Sequence, residues 1–160
     1  MKNKSGFTLM ELMVVIAIIG ILAGIAIPNV ISWRNNQQVM RAARGVYSTL
    51  QAAKMSAIND NATINVLFSP GEGSSGRYRA FEDINGNNTY EAAVDRSVSS
   101  GQMPPGINMS GAAFAAAVGA NSTRFTPLGM TTGANGRVTV TNGSLEVQVV
   151  VNQGGGVRIE

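Results

Sequence analysis

The chain has 160 residues, with 12 Lys and Arg against 9 Asp and Glu, and neither His nor Cys. That length suits one domain with a real core once an apolar N-terminal stretch is set aside. Without His or Cys, the commonest general base, the commonest zinc ligands, thiol nucleophiles and disulfides are all excluded, and an enzyme is not expected. Lys2 and Lys4 precede Gly6; without them the balance is 10 minus 9, or +1, so the pI of 9.7 does not argue for nucleic acid or an anionic membrane.

From Leu12 to Trp33, 22 successive residues carry no charge. At helical rise such a run covers about 30 Å, the thickness of a bilayer's hydrocarbon core, so a single membrane span is predicted. Lys2 and Lys4 before it place the N-terminus in the cytoplasm and the remainder across the membrane. A secretory signal peptide would have a shorter apolar core and a polar mature start.

Glu11 stands at the edge of this run. An unpaired carboxylate at bilayer centre costs about 2.5–3.5 kcal/mol, so a partner is expected. A cut between Gly6 and Phe7 would supply one, because the new α-amino group of Phe7 is a cation near neutral pH and lies within about one turn of Glu11. The carboxylate could pair with that amine or with the amine of a neighbouring copy; the alternative is a Glu11 solvated among headgroups. Gly20 and Gly24 form a GxxxG face that permits close helix contact. Pro28 removes a helical hydrogen bond, which predicts a kink or a locally melted stretch.

The residues GFTLMELMVV resemble the class III signal of type IV pilins and type II secretion pseudopilins. The resemblance implies a leader of residues 1–6 removed by prepilin peptidase, N-methylation of Phe7, and use of Glu11 to recruit each subunit into a filament. It further implies a transmembrane assembly helix over 7–28, able to unwind around its Gly and Pro residues, and a periplasmic head over 29–160. The implied setting is the inner membrane. The implied partners are other pilins or pseudopilins, the peptidase, the inner-membrane assembly platform and lipid. Presence of Glu11 argues against the extreme tip of a filament.

Beyond Trp33, Val39, Ala43, Val46, Leu50, Ala53 and Ala57 recur at spacings of four and three, an amphipathic helical stripe ending at Asn59, Asp60 and Asn61. Arg34, Arg41, Arg44 and Lys54 flank it. Strands are predicted at Ala62–Ser69, Arg77–Asp83, Thr123–Thr126, Arg137–Thr141, Leu145–Val151 and Gly156–Glu160. Asn142 and Gly143 read as a hairpin turn in which both supply positive φ. The last strands should form a meander whose Val138, Val140, Leu145, Val147 and Val149 pack on the helical stripe. Ser97–Gly106 reads as a loop, and Gly111–Ala120 as a packed loop or short helix. The expected fold class is α+β, a long helix packed on an antiparallel sheet in the pilin manner.

Two motifs suggest ligands. GEGSSG matches GxGxxG through Gly71, Gly73 and Gly76, but a strand rather than a helix follows, so a hairpin loop is expected and no nucleotide. DINGNNTYEAAVD spaces Asp83, Asn85, Asn87, Glu91 and Asp95 as calcium ligands could be spaced, yet Gly86 comes early and Val94 occupies the bidentate Glu position. An Asx-rich turn without metal is favoured, and no other cofactor is expected.

The stretch RFTPLGM and the ending VVVNQGGGVRIE are similar to the GspH/FimT group of minor pilins and pseudopilins. Some of that group bind DNA through a closing Gly-Arg-x-Arg; here Gly155 and Arg158 match it, and Gly156 replaces the first Arg. The sequence thus points to a structural filament subunit of a type II secretion pseudopilus or a type IV pilus. The alternative is a pilus-displayed DNA receptor for natural transformation using Arg158, Arg137 and Arg124.

Overall fold

A computed structural model describes residues 7–71, 76–114, 121–132 and 135–160. The chain divides into two compact units, Met1–Asn35 and Asn36–Glu160. Helix α1 runs from Leu9 to Asn59.

In the first unit the described side chains are almost all exposed, among them Leu12, Ile16, Ile19, Leu22, Ile27 and Trp33. The helix continues through Pro28, so of the expected kink or melted stretch the melted stretch is corrected. Proline deletes only its own amide donor, and the bonds on either side suffice to carry the helix on. Ser32 Oγ caps the Pro28 carbonyl at 3.2 Å.

In the second unit every member of the expected stripe, from Val39 to Ala57, is buried, joined by Ala42 and Thr49. Eight strands follow: β1 (Ile64–Ser69), β2 (Arg77–Glu82), β3 (Arg96–Gln102), β4 (Asn108–Ala113), β5 (Ser122–Phe125), β6 (Gly136–Thr141), β7 (Glu146–Val151) and β8 (Val157–Ile159). They form two four-stranded antiparallel sheets, ordered β3-β2-β1-β5 and β4-β6-β7-β8. One apolar cluster joins the helical stripe to both sheets through Ile64, Val66, Phe68, Phe125, Val138, Val140 and Val149. Phe68 and Phe114 stack across it at 5.3 Å between centroids. Leu145, placed on the strand face by its sequence, instead sits in the turn and is half-buried.

Two segments depart from expectation. Ser97–Gly106 was expected as a loop, yet most of it lies in β3, paired with β2 from Arg77↔Gln102 to Glu82↔Arg96. RSVSSGQ has one β-branched residue, so pairing rather than intrinsic preference makes it a strand. Gly111–Ala113 belongs to β4, not to a packed loop or helix, with Met109 and Ala112 turned into the core. Residues 115–120 of the same predicted segment, and Gly73, lie outside the described residues. Gly76 leads directly into β2, and Ser69 pairs with Arg77, so the Gly-rich stretch joins a hairpin and opens no helix.

The β6–β7 hairpin forms where predicted, with different turn chemistry. Gly143 has φ +87, but Asn142 is not among the residues with positive φ. Asn142 works through its side chain: its Oδ1 accepts the amides of Ser144 at 3.0 Å and Leu145 at 2.8 Å. Asparagine can build a turn by this local bond as well as by left-handed backbone.

Candidate functional site

The N-terminal site is built by the start of α1. Thr8 stands just before the helix, and its Oγ1 accepts the Glu11 amide at 3.2 Å. Glu11 Oε2 in turn accepts both the Thr8 amide and the Thr8 hydroxyl, each at 3.1 Å. This is a reciprocal capping box, which satisfies two amides that a helix end otherwise leaves unbonded. Losing such a cap costs about 0.5–2 kcal/mol. Thr8 is a residue the sequence reading passed over, although Thr-x-x-Glu ahead of an apolar run is a recognisable signal.

Phe7, at 86% exposure, lies directly before this cap. Gly20 and Gly24 have no neighbour within 4 Å where a Cβ would stand, so their face of the helix is open to close approach. Gly6 lies outside the described residues.

The acidic loop between β2 and β3 is held by its own carboxylates. Asp83 Oδ1 accepts the amides of Gly86 at 2.8 Å and Asn87 at 3.2 Å, while Oδ2 accepts the Asn88 amide at 2.7 Å and Asn65 Nδ2 at 3.0 Å. Asp95, buried, accepts the amides of Ile84 and Glu91. Asn85 and Asn87 both donate to Glu91. The carboxylates fold the loop by accepting amides, as in an Asx-rich turn. Among the described residues no three His, Cys, Asp or Glu side chains come together to hold a metal.

The three arginines proposed for DNA do not converge. Arg137 and Arg158 flank Val150 in neighbouring strands, through the pairs Arg137↔Val150 and Val150↔Arg158. Arg158 Nε is already bound to Glu160 at 2.6 Å. Arg124 lies on the other sheet, where its guanidinium binds Asn65 Oδ1 at 2.7 Å and Asn88 Oδ1, pinning the acidic loop. Sequence separation alone could not show that Arg124 belongs to a different layer.

A surface network ties the end of α1 to the sheet. Arg96 bridges Asp60 at 2.5 Å and Glu82 at 2.8 Å, and Ser56 Oγ donates to Asp60 at 2.7 Å. The Ser56 hydroxyl first, and Arg96 second, hold the Asp60 carboxyl below the usual carboxylate range. The sign follows directly: a carboxyl lowered in the folded state stabilises the fold above its unfolded pKa, and that contribution is lost as acid carries the pH down through the lowered value. Carboxyl NMR titration should find Asp60 titrating below an ordinary aspartate. Ser56→Ala and Arg96→Gln should each raise it.

The chain's similarities follow this division into helix and head. Residues 1–27 match the prokaryotic N-terminal methylation motif. A fimbrial protein of Pseudomonas aeruginosa is 55% identical over 58 residues, 36% of this chain and 37% of that one, so the chain spans little more than a third of that relative's length. The type IV wide pilus major component PilA4 of Thermus thermophilus is 32% identical over 59% of this chain and 84% of its own. The crystal structure of the type IV minor pilin FimU from Pseudomonas aeruginosa superposes with a TM-score of 0.58 over 80% of this chain and 92% of that one; at 13% identity the likeness is one of fold. Residues 42–155, from mid-helix almost to the C-terminus, match the type II transport protein GspH. With a pilin fold, a methylation-type N-terminus and that match across most of its length, the chain belongs to the GspH family of pilin-like proteins.

Proposed function

We propose that this chain is a structural minor pilin or pseudopilin that enters a thin filament through α1 and carries its head on the filament surface. The observation that supports this most is the apolar first half of α1, which finds no cover within its own unit. A helix apolar on all sides needs lipid or other helices around it. Bilayer meets that need before assembly, and the helices of neighbouring subunits meet it afterwards, with the open Gly20 and Gly24 face allowing close contact. The head lies in the periplasm in this reading, and the N-terminus in the cytoplasm.

Cleavage after Gly6 and methylation of Phe7 complete the proposal. They leave a cationic amine beside Thr8 and Glu11, and Glu11 Oε1 remains available for the amine of a neighbouring copy. Intact-mass analysis of the mature chain should find it starting at methylated Phe7. A mature chain still starting at Met1 would overturn the processing step.

One observation favours a second reading, in which the filament retains DNA: Arg137 and Arg158 face the same side of the β4-β6-β7-β8 sheet across Val150. Two cations make few phosphate contacts, so the salt slope of such binding should be shallow, near −2 for log K against log salt. Arg158→Ala should halve that slope, and unchanged retention would remove this reading.

A further inference from the structure

Among the described residues, the outer face of the β3-β2-β1-β5 sheet is closed at one end and open at the other. At the closed end, Phe81 is fully buried and meets Tyr90 of the acidic loop edge-on at 5.4 Å. At the open end, strand register lays two rows of side chains across three strands: Ser69, Arg77 and Gln102 in one, Leu67, Arg79 and Ser100 in the next. With Tyr90 they line an open groove of about 620 Å³.

The two arginines here differ from three others on the sheets. Arg96, Arg124 and Arg158 each bind an acceptor side chain of their own chain. Among the described residues Arg77 and Arg79 have no acidic partner, and no acidic residue lines the groove. Arg79 is held in place nonetheless, its guanidinium 3.9 Å from the centroid of the Tyr90 ring. A cation fixed by an aromatic face, with its hydrogen-bonding edge unengaged by any carboxylate among the described residues, suits an external oxyanion.

Geometry narrows the choice of anion. Side chains at i and i+2 of one strand stand about 6.8 Å apart, the same repeat that an extended peptide gives its alternate carboxylates. Beside the groove, β3 is the last strand of its sheet. An edge strand presents N–H and C=O groups to which a further strand can add. Ser100 is small, so Arg79 can reach over β3 toward such a strand, about 9.6 Å from β2 at ordinary strand spacing.

We propose that an extended segment of a partner protein, with acidic residues at alternate positions, adds to the sheet along β3 and sets its carboxylates against Arg77 and Arg79. Backbone pairing supplies the affinity, and the two guanidiniums select the charge and its spacing.

The test uses the full-length chain in detergent micelles and a short synthetic peptide alternating Glu with Thr. Control peptides carry Lys in place of Glu, or the same Glu residues contiguously. The alternating acidic peptide should bind saturably, more tightly than either control, and should slow hydrogen exchange in Arg96–Gln102. Arg77→Gln, an exposed change that leaves the Tyr90 contact intact, should weaken it roughly threefold to tenfold. Adding Arg79→Gln should weaken it further. No saturable binding, equal binding by the contiguous peptide, or binding that leaves β3 exchange unchanged would each overturn the proposal. So would a single-stranded oligonucleotide that displaces the peptide through the same two arginines and binds more tightly, since the groove would then serve nucleic acid.

Discussion

Glu11→Gln is expected to keep the chain folded and in the membrane while removing it from filaments as completely as Glu11→Ala does. The comparison matters because Glu11 has two separable properties. Its Oε2 closes the capping box with Thr8, and its charge is available to a neighbour's amine. Glutamine can serve at the third helical position of a capping box, so Glu11→Gln retains the cap and loses only the charge. Thr8→Ala does the reverse, at a cost of about 1 kcal/mol in helix stability. If assembly depends on an ion pair made in apolar surroundings, removing one partner costs about 3–5 kcal/mol, which is a loss of hundreds- to thousands-fold in subunit docking. The filament fraction should therefore lose both Glu11 variants and keep Thr8→Ala. Normal incorporation of Glu11→Gln would show that the cap alone is needed and would end the electrostatic account. Circular dichroism of each variant in micelles checks that α1 is intact.

The capping box also changes where the cost of Glu11 falls. An unpaired carboxylate costs about 2.5–3.5 kcal/mol only at bilayer centre. Yet Glu11 lies in the first turn of α1, and the uncharged run that follows it is long enough to span the hydrocarbon core. Were Trp33 at the far interface, Glu11 would fall at the near one, hydrogen-bonded to Thr8 and open to headgroup water. The need for a cation then arises at assembly, when neighbouring helices replace that water.

Features set by local periodicity or composition were legible in the sequence. The stripe from Val39 to Ala57 appeared because a helix must repeat its buried side, and β6 and β7 appeared because alternating valines mark a half-buried strand. What escaped was fixed by pairing partners. RSVSSGQ is a strand because β2 lies beside it, and NMSGAA because β6 does. Arg124 was grouped with Arg137 and Arg158 by residue type, although strand order puts it on the other sheet. The Arg77 and Arg79 groove had the same cause of concealment: RYR looks like an ordinary strand until Tyr90, thirteen to eleven positions onward, folds back over it.

Gly155→Ala is expected to destabilise the head by about 2–4 kcal/mol, whereas Gly154→Ala should stay within about 0.5 kcal/mol of the parent. The two glycines are adjacent in a GGG run. Gly155 is buried at φ +71, and a Cβ there would stand 1.8 Å from the Gly129 carbonyl oxygen and 2.9 Å from its carbon. Those are backbone atoms, so relief requires moving the 126–131 turn or the β7–β8 connection, in addition to the left-handed backbone cost of a side chain. The Gly155 carbonyl also accepts Lys54 Nζ at 2.9 Å, so displacement of this turn pulls on the last turns of α1. A Cβ at Gly154, by contrast, meets only Asn152 Oδ1 at an ordinary 3.5 Å. Hydrogen exchange of the β7 and β8 amides in the full-length chain measures the difference, because core amides report the free energy of opening. Faster exchange throughout Glu146–Ile159 in Gly155→Ala alone is the expected result. If the two variants exchange alike, close packing of Gly155 against Gly129 does not hold the C-terminal sheet to the helix.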